Sequence, residues 1–321
     1  MRDRKIEWAA FQRSHVEAAA KLTSAFKTAE QAERAIEGVW ERENVSGIAA
    51  FRDSELVGYL IGRLETDKAR GRHTWVDYAG AAIAAGESSE LYREMYAAIA
   101  SDWVANGSFR HYVLVPSGDE AAVDGWLRLG FAYEQVHAVQ TIPAVQLPEF
   151  ADPAVRIRLA GPEDEPAVRK ISTLIMEHQA GAPVWAPAFG EDRAKFQEGY
   201  VQLIKDPSAY FWVAAREEEI LGFQAFYPPD NLDIDRMFPG SCICLGVGAT
   251  VPEARGQGIG AALVKHGLDR ARREGFTNCI ADWRMTNVEA SRFWPKQGFT
   301  PYAYRLVRYV DPRIAWADGK A

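Results

Sequence analysis

The residues best suited to chemistry lie between Leu245 and Ala261, in the stretch LGVGATVPEARGQGIGA. A run of small and apolar residues ends at Val251-Pro252, and after two more residues comes Arg255-Gly256-Gln257-Gly258-Ile259-Gly260. A helical pattern begins at once, with Ala262, Leu263, His266, Leu268 and Ala271. The spacing predicts a strand, a glycine-rich turn and a helix. Glycines let a backbone approach a ligand closely and take up positive φ. The free amides of such a turn and of a helix N-terminus attract anions, and Arg255 adds a fixed positive charge. The chemistry this combination suits is the holding of phosphates.

Two phosphate-binding patterns fit. Gly256-x-Gly258-x-x-Ala261 matches a dinucleotide fingerprint, and Asp282 lies about the right distance downstream for a ribose. That fingerprint wants its first glycine directly off the strand, whereas Pro252 to Arg255 intervene, and little chain follows Asp282 for further βα units. Arg255-x-x-Gly258-x-Gly260 instead resembles the acetyl-CoA loop of the GNAT N-acetyltransferases: Gln or Arg, two residues, Gly, one residue, Gly or Ala. Val251-Pro252-Glu253 before it and Asn287-x-x-Ala290-x-x-Phe293 after it, closed by Gly298-Phe299, resemble the same family. These motifs span Gly248 to Phe299.

The resemblance implies an α+β fold, with a mostly antiparallel mixed sheet flanked by helices. It also implies acetyl-CoA as the acyl donor. The donor would be held by Gly248, Ala249, Thr250, Arg255, Gly256, Gln257, Gly258, Ile259, Gly260, Asn287 and Phe293. The acceptor would be a primary amine of a small molecule or peptide, attacking the thioester directly.

A base must then take a proton from the acceptor ammonium. Asp282 is the candidate, its alternative role being a partner for Arg284 or a turn cap. His178, Glu177, Asp230, Asp233 and Asp235 are further candidates, the aspartates being equally at home in a solvated turn. Trp185, Phe189 and Phe211 are candidates for an acceptor pocket or for core. Where the family follows its motif Phe with a tyrosine that protonates the leaving thiolate, this chain has Trp294-Pro295. An indole is no practical proton source, and Pro295 should kink its helix. Tyr302 and Tyr304, alternating on one strand, are the replacements, and Tyr304 is the one named as acid.

The elements that must position these groups are written twice. Ile48-Ala49-Ala50-Phe51-Arg52 before Glu55-Leu56-Val57-Gly58-Tyr59 matches Trp212 to Arg216 before Glu219 to Phe223, as two β-hairpins. Later Gly107 matches Gly275, Ala122 matches Ala290, Trp126 matches Trp294, and Gly130-Phe131 matches Gly298-Phe299. Residues 1–145 therefore read as a degenerate copy, 146–154 as a linker punctuated by Pro148 and Pro153, and 155–321 as the copy that keeps the loop. In the first copy Glu87, Ser88, Glu90 and Tyr92 stand where Arg255, Gly256, Gly258 and Gly260 stand in the second. Carboxylates there repel an anion. Helices are expected over 16–26, 29–40, 90–104, 163–178, 193–204 and 287–297, and one strand over 73–84. Too little chain follows either Gly-Phe for a closing hairpin, so each sheet must lack a strand or borrow one.

The chain has 321 residues, room for two ordinary domains, and a net charge of −7. Residues 1–150 hold 16 Lys and Arg against 22 Asp and Glu, and the remainder 21 against 22. Neither half is basic, which speaks against nucleic acid as a partner, and no apolar run approaches a membrane span. Cys242, Cys244 and Cys279 lack metal-ligand spacing and read as reduced thiols of a cytoplasmic protein. Oligomeric state is not written in the sequence. Three rival readings stand beside the acyltransferase: an acyl-CoA-binding module without catalysis, a nicotinamide-dependent oxidoreductase, and a doubled aminoacyl transferase, whose kind generally lacks this loop.

Overall fold

The computed structural model describes residues 5–23, 25–26, 28–144, 152–229 and 241–319. They form two compact units. One reaches Val136 and resumes at Tyr302, and the other lies between, from His137 to Pro301. The division differs from the 145/155 boundary expected from the repeat, because the units exchange their closing strands.

The first unit contains β1 (Glu7–Ala10), α1 (Val16–Ala20), α2 (Ala29–Trp40), β2 (Val45–Arg52), β3 (Glu55–Asp67), β4 (Gly71–Val76) and β5 (Ala81–Ile83). α3 (Glu90–Ala105), β6 (Arg110–Pro116), α4 (Glu120–Arg128) and the start of β7 (Ala132–Thr141) follow. The second contains β8 (Val155–Leu159), α5 (Glu165–Ile171), α6 (Leu174–Ala180), α7 (Arg193–Lys205), β9 (Tyr210–Arg216), β10 (Glu219–Tyr227) and β11 (Cys242–Thr250). α8 (Ile259–Arg273), β12 (Asn278–Arg284), α9 (Val288–Lys296) and the first residues of β13 (Thr300–Tyr309) complete it.

In the first unit the strands run in the order β1-β2-β3-β4-β6-β13, with β5 on β3. In the second they run β7-β12-β11-β10-β9-β8. Each sheet has one parallel step, β4 with β6 and β11 with β12. The strand pairs β1–β2, β2–β3, β3–β4, β3–β5, β6–β13, β8–β9, β9–β10 and β10–β11 are antiparallel, as expected for the mixed sheet. β13, from the C-terminal half of the sequence, pairs with β6 from Ala303↔Pro116 to Tyr309↔Arg110. It places Leu306, fully buried, in the first unit's core with Met95, Trp103 and Trp126. In return, β7 lies beside β12, and the Ile142 amide donates to Thr277 O at 2.9 Å. The shortage of closing strand is thus met by borrowing, in both directions.

Strand alternation assigns the faces of the second sheet. Phe211, Val213, Phe223 and Ala225 pack on α5 and α7 with Val168 and Tyr200. Ala214 and Leu221 pack on the opposite side with Ile259 and Leu263 of α8. Phe226 lies so close to Gly267 of α8 that a side chain there would collide with its ring.

Three elements differ from expectation. The single helix over 163–178 is two, because Ser172 and Thr173 interrupt it, Ser172 Oγ donating to Arg169 O at 2.9 Å and Thr173 Oγ1 to Glu177. The strand over 73–84 is broken into β4 and β5, with Gly80 N–H turned back to Asp77 O at 2.7 Å. The helix from Val16 stops at Ala20. Among the described residues no helix is long and apolar enough to cross a membrane.

Leu306→Ala should destabilise the first unit by about 2–5 kcal/mol through the cavity it leaves. Hydrogen exchange should show the loss in β6 and α3, although the substituted residue lies beyond the second unit in sequence.

Candidate functional site

The site begins where two strands part. β11 and β12 pair in parallel from Cys242↔Asn278 to Leu245↔Ala281, and the pairing ends there although both strands continue. Beyond that point β11 stays on β10 alone, through Val247, Gly248, Ala249 and Thr250. The register shifts between Ala225 and Phe226, leaving Gly246 as the extra residue of a bulge. Bulges bend and twist a strand, and this one lies immediately beyond the last β11–β12 pair. Val251 N–H donates to Leu221 O. By antiparallel alternation, the amides of Gly248 and Thr250 point away from β10, into the gap.

A cavity of about 650 Å³ fills the gap. Gly248, Ala249 and Thr250 form one wall, and Asp282, Trp283 and Arg284 the other. The loop and α8 close one end. A short 3-10 turn, Pro252–Ala254, buries Ala254 in the core. The chain then turns through Gly256 at φ 77° and Gly258 at φ 81°, the left-handed region that favours glycine. A side-chain carbon at either glycine would meet nothing within 4 Å, so the glycines serve the backbone path and leave open space outside it. The first helical bond of α8 runs from Ala262 N to Gly258 O at 3.0 Å. The amides of Ile259, Gly260 and Ala261 therefore have no helical acceptor, and no acid sits in the first turn. Arg255 Nε donates to Thr250 O at 3.3 Å, tying the guanidinium to the strand end. Three free amides, a helix dipole and a cation form a site for a polyanion.

α9 forms the other flank. Asn287 caps it, its side-chain oxygen accepting from Ala290 N at 3.0 Å, and the residue lines the cavity. The matching Asp119 caps α4 in the first unit through Ala122 N at 2.9 Å. Phe293 lies against Gly260, where a side-chain carbon would touch its ring at 3.4 Å. Trp294 lines the cavity edge-on to Phe293, with ring centroids 4.9 Å apart. Pro295 falls one residue before α9 ends, where little helix remains to kink.

The two faces of the gap carry different groups. Trp283 is two residues beyond Ala281, which pairs with Leu245, which in turn pairs with Phe226 on the α8 side. Trp283 therefore shares the face of α8, and Asp282 takes the opposite one. α6 contributes Leu174, Ile175 and His178 to the cavity, and His178 Nε2 lies 3.6 Å from Glu289.

The structure places several of the candidate residues away from the cavity or engages their side chains elsewhere. Tyr304 does not line this cavity. The strand exchange carries it into the first unit, opposite Val115, with its ring edge-on to Tyr133 at 5.0 Å. The Ile259 side chain is 2 % exposed and belongs to the core, so only its backbone faces the site. Gln257 turns to the backbone, its side-chain amide donating to Glu253 O at 3.1 Å. Glu177 is engaged by Thr173 and Arg193. Phe211 is core, stacked on Phe223, and Trp185 is exposed. Asp230, Asp233 and Asp235 lie outside the described residues. Sequence reasoning missed Gln224, a buried amide on β10 that lines the cavity. Its signal was an isolated polar residue in the apolar run from Ile220 to Phe226.

The matching region of the first unit is filled by its own side chains. Arg52 donates to both oxygens of Glu87 at 3.1 and 3.0 Å. Glu90 pairs with Arg93 at 2.6 Å and with Arg128, and Tyr92 is buried.

Residues 175–299 match the model of the acetyltransferase (GNAT) family. A search of curated protein sequences returns no match. Among solved structures, the fold is similar to a GCN5-related N-acetyltransferase from Sphaerobacter thermophilus, with a TM-score of 0.60 at 14 % identity over 95 % of both chains. It is similar to a tandem GNAT protein from the clavulanic acid biosynthesis pathway, with a TM-score of 0.54 at 13 % identity over 96 % of this chain and 99 % of that one. A GNAT-family acetyltransferase from Colwellia psychrerythraea gives 0.50 at 15 % identity, over 96 % of this chain and all of that one. The fold is that of a tandem GNAT protein.

Gly258→Ala should cost about 1–2 kcal/mol of stability from the left-handed backbone and leave measurable coenzyme A binding. Gly258→Glu should abolish that binding by placing a carboxylate against the anion site. Calorimetry with both variants checks the difference.

Proposed function

We propose, for a chain whose residues 175–299 form a GNAT acetyltransferase domain, that the second unit moves an acetyl group from acetyl-CoA to a primary amine of a small molecule or peptide by direct attack. The observation that carries this reading is a strand gap with inward amides, ending at an uncapped helix N-terminus beside Arg255. When bound, the donor supplies an activated thioester. The open space outside Gly256 and Gly258 fits a phosphate chain, and the narrow gap fits a slender acyl arm.

Each group then has a task. Arg255 and the amides of Gly256, Gly258, Ile259 and Gly260 hold the diphosphate. The amides of Gly248 and Thr250 are donors for a developing oxyanion, and such preorganised donors supply a large part of catalysis. Phe293 and Trp294 exclude water on the α9 side. Asp282, on the face opposite α8, receives the ammonium proton of an acceptor entering from α6. His178 and Glu289 border that entrance. No tyrosine stands among the described lining residues. An alkyl thiol has a pKa of about 8.5, a fair leaving group without an acid, so the reading needs no protonating residue. The first unit, its equivalent cradle filled by Arg52 and Glu87, serves as scaffold.

A second reading is an acyl-CoA-binding module without turnover, favoured by Trp294 in place of a tyrosine. Thiol release across a panel of amine classes separates the two, since a module releases none. In the enzyme, Asp282→Asn should lower kcat by about 10²–10⁴, the usual worth of a general base, while coenzyme A affinity is kept. The rate should rise with pH as the acceptor amine loses its proton. Tyr304→Phe should leave kcat unchanged, and a loss there would return the acid role to that residue.

A further inference from the structure

The last three residues of β12, Asp282, Trp283 and Arg284, line the cavity beyond the point where the strand leaves β11. Alternation sends Trp283 to the α8 face and sends Asp282 and Arg284 together to the other. Two residues of strand set their backbones about 7 Å apart. Both are partly buried. Asp282 already has a task in the proposed reaction, and Arg284 has none. A guanidinium carries five N–H donors, so a bond to a neighbouring carboxylate leaves others for a ligand.

The wall over this face is apolar. Leu174 and Ile175 of α6 line the cavity and pack with Phe211 and Phe223, on the side away from α8. Tyr227 follows Phe226 and so points to the same face, where its hydroxyl takes the place a side chain at Gly246 would need. The ring bounds the compartment at the end where the strands part. His178 and Glu289 meet at its rim, 3.6 Å apart. The other Lys and Arg residues among the described lining residues, Arg255, Arg292 and Lys296, come from the loop and from α9. Those elements flank the phosphate cradle, whereas Arg284 lies on the sheet face away from α8.

We propose that the acceptor is a free α-amino acid. Its ammonium lies at Asp282 and its carboxylate at Arg284, with a small or apolar side chain against Leu174 and Ile175. The inference rests on the proposed acyltransfer reading and narrows the acceptor from any primary amine to one that carries its own anion. One charge of each sign at this spacing, with a hydrogen bond of about 2.8 Å at either end, leaves room for only a short link between them. A plain alkylamine would leave the partly buried guanidinium without an anion, and a diamine would bring a second cation against it. In the reaction one ammonium proton passes to Asp282. The amine nitrogen then forms a C–N bond to the acyl carbon, and the C–S bond breaks with its electron pair on sulfur. A second proton leaves the nitrogen for water, and the carboxylate stays as it was.

The test measures thiol release from acetyl-CoA with L-alanine, L-valine and L-leucine, each beside its own carboxamide and the alkylamine of the same side chain. Wild type should prefer each acid over its carboxamide about 10–100-fold in kcat/KM, the worth of a hydrogen-bonded charge pair. Arg284→Gln should bring that ratio to about one, through the KM of the acid rather than kcat. Arg284→Glu should reverse it. Taking the ratio within one variant cancels differences in the fraction folded, and coenzyme A affinity by calorimetry reports that the variant keeps its fold. Equal loss of acid and carboxamide in Arg284→Gln would show that Arg284 only supports Asp282, and would overturn the assignment. Thiol release with the alkylamines and none with the acids would overturn it too, while leaving the acyltransfer reading intact. If wild type binds coenzyme A and releases thiol with no member of the panel, the acyltransfer reading fails and this inference falls with it.

Discussion

The second unit depends on one geometric event, the parting of β11 from β12 after Leu245 and Ala281. A sheet normally satisfies its backbone by pairing, and a parted pair exposes amides that must find another partner. Here the exposure is localised by a bulge at Gly246 and by continued pairing of β11 with β10 on the other side. The gap is bordered by α8, α9 and α6. The anion site, the inward amides of Gly248 and Thr250, and Asp282 on the opposite face all take their positions from that divergence. Had β12 stayed paired through Thr250, the same residues would form an ordinary closed sheet.

The first unit shows what the same plan becomes when it is closed. Its counterpart of β11 is broken into β4 and β5, and the turn before α3 carries Glu87 bound to Arg52. An ion pair within the protein replaces one with a ligand. Both groups keep a part of their surface in solvent, and their pairing fills the place that an anion would take. Asp119 and Asn287 keep the same capping bond in both units. The capping position belongs to the fold, whereas the charge at the loop belongs to the site.

Much of this was legible in the residues. The hairpins, the glycine turn at Gly256 and Gly258, the capping Asn287 and the filled cradle of the first copy follow from local chemistry: left-handed φ, side-chain capping and the sign of a charge. What could not be read was partnership. β13 looks like any closing strand, and alternation along Tyr302 and Tyr304 says nothing of which sheet will receive it. That is why Tyr304 was expected at the site and stands in the first unit instead. The break at Ser172 and Thr173 escaped because the apolar period runs across it. Gln224 escaped because an amide in a strand does not show its partner until the sheet is assembled.

The exchange of β7 and β13 also sets the order in which the chain can mature. β6 is complete early, yet the strand that covers its edge is made after the whole second unit. At roughly 5–20 residues per second, a nascent chain would hold that edge bare for many seconds. A bare edge is a template for wrong pairing, so the first half must wait, half-finished, for its last strand. After such an exchange the two copies cannot be inherited separately, since each would leave with the other's strand. Each copy made alone would lack the strand that the other half of the sequence supplies.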